Sequence, residues 1–172
     1  MDFYESDLED IIHGCLKTRD GVYSLNEKGL DVDLPIATHR QLKIGAYGVS
    51  DIVTISKNNE EDFTGNLYPY VDVTIYELKR GVLNLDSLIQ LFGYIKGVNH
   101  YCKERGFDSS KYNIKGVLVG RTLNTESWVY LMDYIDCTVD VYTYDYTIDG
   151  MRFNLETFGY KLSDPKFKIE YK

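Results

Sequence analysis

Sulfur, imidazole and proline are all scarce in this chain: three cysteines, three histidines and three prolines in 172 residues. Cys15, Cys102 and Cys137 are odd in number and far apart, which argues against a disulfide framework. Neither they nor His13, His39 and His100 show zinc-ligand spacing, so all six read as packing or surface residues. No apolar run approaches the roughly 18–20 residues needed to span a bilayer. The opening Met1-Asp2-Phe3-Tyr4-Glu5 is acidic where a secretion signal would be basic. These absences lead to the expectation of a soluble, cytoplasmic protein. Gly45 and Gly48 are not followed by Gly-Lys-Ser/Thr, so an ATP-driven function has no support. Internal repeats, low-complexity tracts and long linkers are lacking too, and a single domain over residues 1–172 is expected, with a C-terminal tail from about residue 160.

What is plentiful is acid. The net charge is −8, an unpromising total for a protein that binds phosphate chains. Its distribution matters more than its sum. Residues 1–76 hold six Lys/Arg against fourteen Asp/Glu, and residues 122–172 hold five against nine. Residues 77–121 reverse the balance, with eight against four. A basic middle between acidic ends allows a phosphate-facing surface, in which Lys115 and Arg121, flanking a strand end, are candidates to meet phosphate. Sixteen tyrosines are present. Those at 142, 144 and 146 alternate, which fits a sheet face better than a base-stacking platform.

Hydrophobic periodicity outlines the elements. Phe3, Leu8, Ile11, Ile12, Cys15 and Leu16 mark a helix with acids in its first turns, and Gly21 and Gly29 bracket a turn-rich connection. Strands are expected at Ile36–Ile44, Val49–Ser56 and Val71–Lys79, the latter two rich in Val, Ile and Thr. The polar stretch Lys57–Tyr70 reads as a hairpin loop with an insertion. Leu85–Cys102 repeats apolar residues at helical spacing behind Asn84, a good N-cap. A strand at Ile114–Val119, a short helix at Glu126–Tyr134 and two strands joined at Asp149-Gly150 complete the order α-β-β-β-α-β-α-β-β. This is an α/β (α+β) domain with a mixed sheet flanked by helices.

Four residues carry chemistry on that outline. Asp51 stands near the start of a strand. Glu77 and Lys79, two apart near the end of the next, point to one face, and Gln90 lies on the helix that follows. Two carboxylates suit a hard divalent cation such as Mg²⁺, which takes oxygen ligands and retains waters. A lysine beside them can orient a water or stabilise a pentavalent phosphate. As isolated features, Glu-x-Lys is commonly an exposed cross-strand pair and Gln90 a polar residue on a helix rim.

Taken in order, Gly48-Val49-Ser50-Asp51-Ile52-Val53-Thr54-Ile55, Ile75-Tyr76-Glu77-Leu78-Lys79-Arg80-Gly81 and Leu88-Ile89-Gln90-Leu91-Phe92-Gly93-Tyr94 resemble the PD-(D/E)xK nucleases, above all their RecB-like and archaeal mismatch-endonuclease-like branches. Glu5-Ser6-Asp7-Leu8 matches the Glu-x-x-Leu of that family's first helix. Two departures stand out: Ser50 where the family often has Pro, and a long spacing from Asp51 to Glu77, which requires the segment at about 57–70 to loop out. The resemblance implies a restriction-endonuclease-like core and a Mg²⁺-dependent nuclease, with Mn²⁺ substituting, acting on nucleic acid, with DNA expected ahead of RNA. It implies that Glu5 (Glu9 as the fallback), Asp51, Glu77 and the backbone carbonyl of Leu78 hold the metal. Lys79 would position the attacking water and Gln90 would contact the phosphate, with Tyr94, Arg80, Lys115 and Arg121 toward substrate. Two alternatives remain: a nuclease-fold module that binds nucleic acid or protein with little turnover, and a subunit active only as a homodimer or in a larger assembly.

Overall fold

A computed structural model describes residues 4–61, 63–124 and 139–156. Helices α1 (Glu5–Leu16) and α2 (Arg19–Glu27) precede strands β1 (Ala37–Lys43), β2 (Val49–Glu61) and β3 (Leu67–Leu78). After the short β4 (Val82–Leu83) come α3 (Leu85–Glu104), β5 (Tyr112–Gly120), β6 (Thr122–Leu123), β7 (Val139–Thr147) and β8 (Gly150–Leu155). Six strands form one mixed sheet in the order β1-β2-β3-β5-β7-β8. The β1–β2, β2–β3 and β7–β8 pairs are antiparallel, while β3–β5 and β5–β7 are parallel. The expected architecture, a central mixed sheet flanked by helices, is the one observed. Among the described residues no helix is long and apolar enough to cross a membrane.

Alternation along the strands divides the core into two layers. Ile52, Tyr76, Leu78, Val117 and Val119 pack with Leu8, Ile12 and Leu16 of α1 and Val22 and Leu25 of α2. Val53, Ile75 and Leu118, one step out of phase, pack with Leu88, Leu91, Tyr94 and Ile95 of α3. Each fully buried Leu or Ile contributes roughly 1.5–3 kcal/mol, so the two layers clamp the centre of the sheet from both sides. Asn84 caps α3 as expected, accepting from the Ser87 N–H at 3.1 Å.

Three expectations need correction or bounding. The supposed turn after α1 is a second helix: Thr18 caps it through the Gly21 N–H at 3.1 Å, and Gly21 is there for contact, since a Cβ would stand 2.2 Å from the Cys15 carbonyl oxygen. The expected loop at 57–70 is mostly strand, because β2 continues to Glu61 and β3 begins at Leu67. Its residues are polar because that end of the hairpin projects into solvent, so polarity here marked exposure and not a loop. The helix expected at Glu126–Tyr134, Cys137 and the tail from about residue 160 lie outside the described residues.

Gly29 ends α2 with φ +95°, and a Cβ there would lie 2.2 Å from the carbonyl oxygen of Phe153 on β8. The same junction is tied by the Phe153 N–H donating to the Lys28 carbonyl at 2.7 Å. Gly29→Ala therefore meets both backbone strain and a clash with backbone that cannot swing away. A loss of about 2–3 kcal/mol is expected, read as a lower urea midpoint at unchanged slope.

Candidate active site

The antiparallel β2–β3 ladder pairs Ile52 with Tyr76, and one further step of that register sets Asp51 against Glu77. Both follow the parity of Val53 and Ile75, so they lean toward the α3 layer where β3 leaves the sheet. Asp51 is anchored by the Leu78 N–H, which donates to its Oδ2 at 2.7 Å. The Lys79 ammonium sits on Glu77 Oε1 and lies 3.8 Å from Glu5 Oε1. Glu5 Oε2 accepts in turn from the Arg80 N–H at 3.2 Å. Asp51, Glu77, Lys79 and the helical acid Glu5 are thus brought together at one sheet edge.

The electrostatics follow from burial. Glu77 is 1% exposed, and its Oε2 is buried without a hydrogen-bond partner. Burial first, then the negative charge of Asp51, push its carboxyl up to about 7 against the opposing pull of Lys79. Asp51 is also raised by burial, with the Leu78 N–H and Lys79 working the other way. For Lys79, burial disfavours the charged form, but the bond to Glu77 and the surrounding acids outweigh it and raise the ammonium.

Glu9, one turn beyond Glu5, is 6% exposed and enters the same region from α1. Arg40 Nε donates to its Oε1 at 2.6 Å. Gln41 Nε2 donates to both of its oxygens, at 2.9 and 3.0 Å, and lies 3.5 Å from Asp51 Oδ1. Both helical acids therefore reach the cluster. Arg40 and Gln41 escaped the sequence reading, because nothing in Thr38-His39-Arg40-Gln41 distinguishes them from any polar edge strand.

Other candidates fall differently. Gln90 is exposed at the rim and donates to the Tyr94 hydroxyl at 2.7 Å. Tyr94 is 1% exposed, and its hydroxyl donates to the Val49 carbonyl at 2.7 Å. Burial removes Tyr94 from direct substrate contact; it is a strut between α3 and the start of β2. Gly48 makes room for it, since a Cβ there would come 3.1 Å from the ring. Tyr94→Phe strands that carbonyl and is expected to cost about 1–2 kcal/mol, measurable by urea denaturation. Arg80 and Arg121 are exposed beside the site. The Arg80 guanidinium lies over the Tyr4 ring at 5.7 Å, and its carbonyl accepts from the Tyr144 hydroxyl at 2.9 Å. Lys115 is misplaced by the sequence reading. It pairs with Asp140 at 2.6 Å and lines a cavity of about 180 Å³ with Asp31, Asp33 and Asp72. It stands level with Thr74, three register steps (about 10 Å) from Glu77, on the other face. Lys115 lies within β5, whereas Arg121 follows the strand's last residue, Gly120, and its N–H donates to the Gly81 carbonyl at 2.8 Å beside the site.

Among the described residues no group of three or more His, Cys, Asp and Glu side chains is drawn into a ready metal cage. Each acid instead has a protein donor: Leu78 on Asp51, Lys79 on Glu77, and Arg40 with Gln41 on Glu9. The donor chemistry nonetheless fits a hard cation. All the candidate ligands are oxygens, one buried Glu77 oxygen lacks any partner, and Mg²⁺ commonly takes only one or two carboxylates and keeps its waters.

No protein-family model matches this chain, and no curated protein matches it. Among solved structures, a repair endonuclease from Pyrococcus abyssi is similar, with a TM-score of 0.44 and 19% identity over 81% of this chain and 47% of that one. The chain thus spans about half the length of that endonuclease.

Proposed function

We propose that this protein is a metal-dependent nuclease that hydrolyses the phosphodiester bonds of DNA with Mg²⁺, Mn²⁺ serving in its place. The observation that carries the reading is the partnerless buried oxygen of Glu77, set beside Asp51 and under the ammonium of Lys79. Two carboxylates held this close with one oxygen unsatisfied are costly unless something positive completes them.

In this reading Asp51 and Glu77 hold the cation, with the Leu78 carbonyl and one helical carboxylate, Glu5 or Glu9, contributing. The bound ion supplies Lewis-acid stabilisation of the phosphate and a more acidic water. Lys79 donates to that water and offsets charge growing on the phosphate oxygens. Gln90 contacts the phosphate from the rim, steadied by Tyr94. Arg80 and Arg121, exposed at the ends of β3 and β5, take flanking phosphates of the strand. They bring positive charge to the one edge where an acidic protein needs it.

The test is to incubate the protein with supercoiled plasmid, single-stranded DNA and RNA, in Mg²⁺ or Mn²⁺ and then in EDTA. DNA cutting that requires the cation and disappears in Asp51→Asn is expected. Cutting that persists in EDTA, or survives in that variant, would overturn the assignment. Tight, metal-independent binding without cutting would favour a binding module on the same scaffold.

A further inference from the structure

Among the described residues, Gln41 is the one non-glycine with positive φ, at +50°. A left-handed backbone costs a residue with a Cβ about 1–2 kcal/mol, and such strain collects where a site demands it. The pairs on either side, Arg40 with Ile52 and Leu42 with Ser50, share one continuous register, so Gln41 stands opposite Asp51, yet that pair is missing from the ladder. Consecutive side chains of a regular strand point to opposite faces. Here Arg40 and Gln41 both reach Glu9, while Leu42 packs against the α3 layer. The left-handed turn at Gln41 is what switches the strand from one face to the other and swings the amide in between.

We propose that Gln41 is a positioning residue that makes Glu9 the helical carboxylate of the metal-binding set and holds it against Asp51. The inference rests on the nuclease reading and deepens it. Its physical basis is the choice of donor. One neutral NH₂ group donates to both oxygens of Glu9 and lies 3.5 Å from Asp51. It draws two carboxylates toward each other and adds no charge of its own to either. A lysine at the same place would hold them equally well and quench the site. Arg40 fixes Glu9 from the other side but shares its guanidinium with Asp10.

The test measures Mn²⁺ affinity by titration calorimetry, with thermal melting alongside, for the wild type, Gln41→Gly, Gln41→Asn, Glu9→Gln and, as a control, Glu104→Gln, an exposed acid at the far end of α3. Glycine adopts φ +50° freely and asparagine tolerates it with an amide one methylene too short, so both variants keep the backbone turn. Gln41→Gly, Gln41→Asn and Glu9→Gln are each expected to weaken Mn²⁺ binding tenfold or more, with Glu104→Gln unchanged. A purely structural Gln41 would lower the melting temperature and leave Mn²⁺ affinity at the wild-type value, which overturns the proposal. A wild type that binds no Mn²⁺ sinks the nuclease reading and this inference together. A wild type that binds and cuts, beside a Gln41→Gly that binds equally well, sinks this inference alone.

Discussion

Glu77→Gln and Asp51→Asn are each expected to reduce Mg²⁺-supported cleavage of supercoiled plasmid by at least about 10³-fold, some 4 kcal/mol of transition-state stabilisation. Both substitutions preserve side-chain size, so the loss is one of charge and ligand capacity. Glu77 carries a second signature. In the metal-free protein its carboxyl is raised to about 7 from an ordinary 4.5, by burial and by Asp51. The folded state therefore binds this proton more tightly than the unfolded chain does. The associated stability is fully present below pH 4.5 and is lost as pH rises through 7, in total roughly 3 kcal/mol. Metal-free wild type should accordingly melt several degrees lower at pH 8 than at pH 5.5, with Mg²⁺ restoring the difference by favouring the ionised carboxylate. Glu77→Gln should flatten that dependence. A profile as steep in Glu77→Gln as in the wild type would assign the pH effect to another group.

Lys79→Met is expected to combine two effects of opposite sign. Removing the ammonium leaves Glu77, buried and next to Asp51, without its cation; stripping one partner from such a pair costs about 3–5 kcal/mol while the charge remains, and less once the carboxyl, freed from the pull of Lys79, takes up a proton. Cleavage should fall by about 10²–10³-fold, because the group that orients water and balances phosphate charge is gone. Mn²⁺ affinity, however, should hold or rise, since the ammonium that competes for Glu77 is no longer there. This split separates a catalytic lysine from a structural one. A lysine that served only to neutralise Glu77 would be replaced by the metal itself, and Lys79→Met loaded with Mn²⁺ would cut at the wild-type rate. That outcome would end the catalytic reading of Lys79 while leaving Asp51 and Glu77 in place. The same measurements bear on Glu5, whose Oε1 faces Lys79 at 3.8 Å. With the ammonium removed, Glu5 loses its electrostatic tie to the site, whereas Glu9 keeps its hold through Gln41.

Much of the scaffold is written locally. The Val/Ile/Thr runs at 49–56 and 71–79, the apolar spacing of α3 behind Asn84 and the last hairpin each need only neighbouring residues to take shape, and each appears close to where periodicity places it, the hairpin turning at Ile148-Asp149, one residue before the expected Asp149-Gly150. The partnership of Asp51 with Glu77 was legible for the same reason, since two adjacent strands with a common register bring their ends together. What sequence could not settle depends on groups far apart along the chain. Gly21 looked like a turn residue, because only the approach of Cys15 shows that it is a packing contact. Lys115 and Arg121 looked equivalent until the register of β5 put Lys115 over an acidic cavity, while Arg121, just past the strand, bonds through its backbone to Gly81 in the loop after β3. Gln41 was invisible, because its importance lies in a backbone angle and in a helical residue 32 positions away in sequence, neither of which leaves a mark on the letters around it. Local propensity determined which segments become strands and helices. Only the closing of the sheet against α1 decided which acids and which amide meet, since that meeting is a matter of distance in space and not of spacing along the chain.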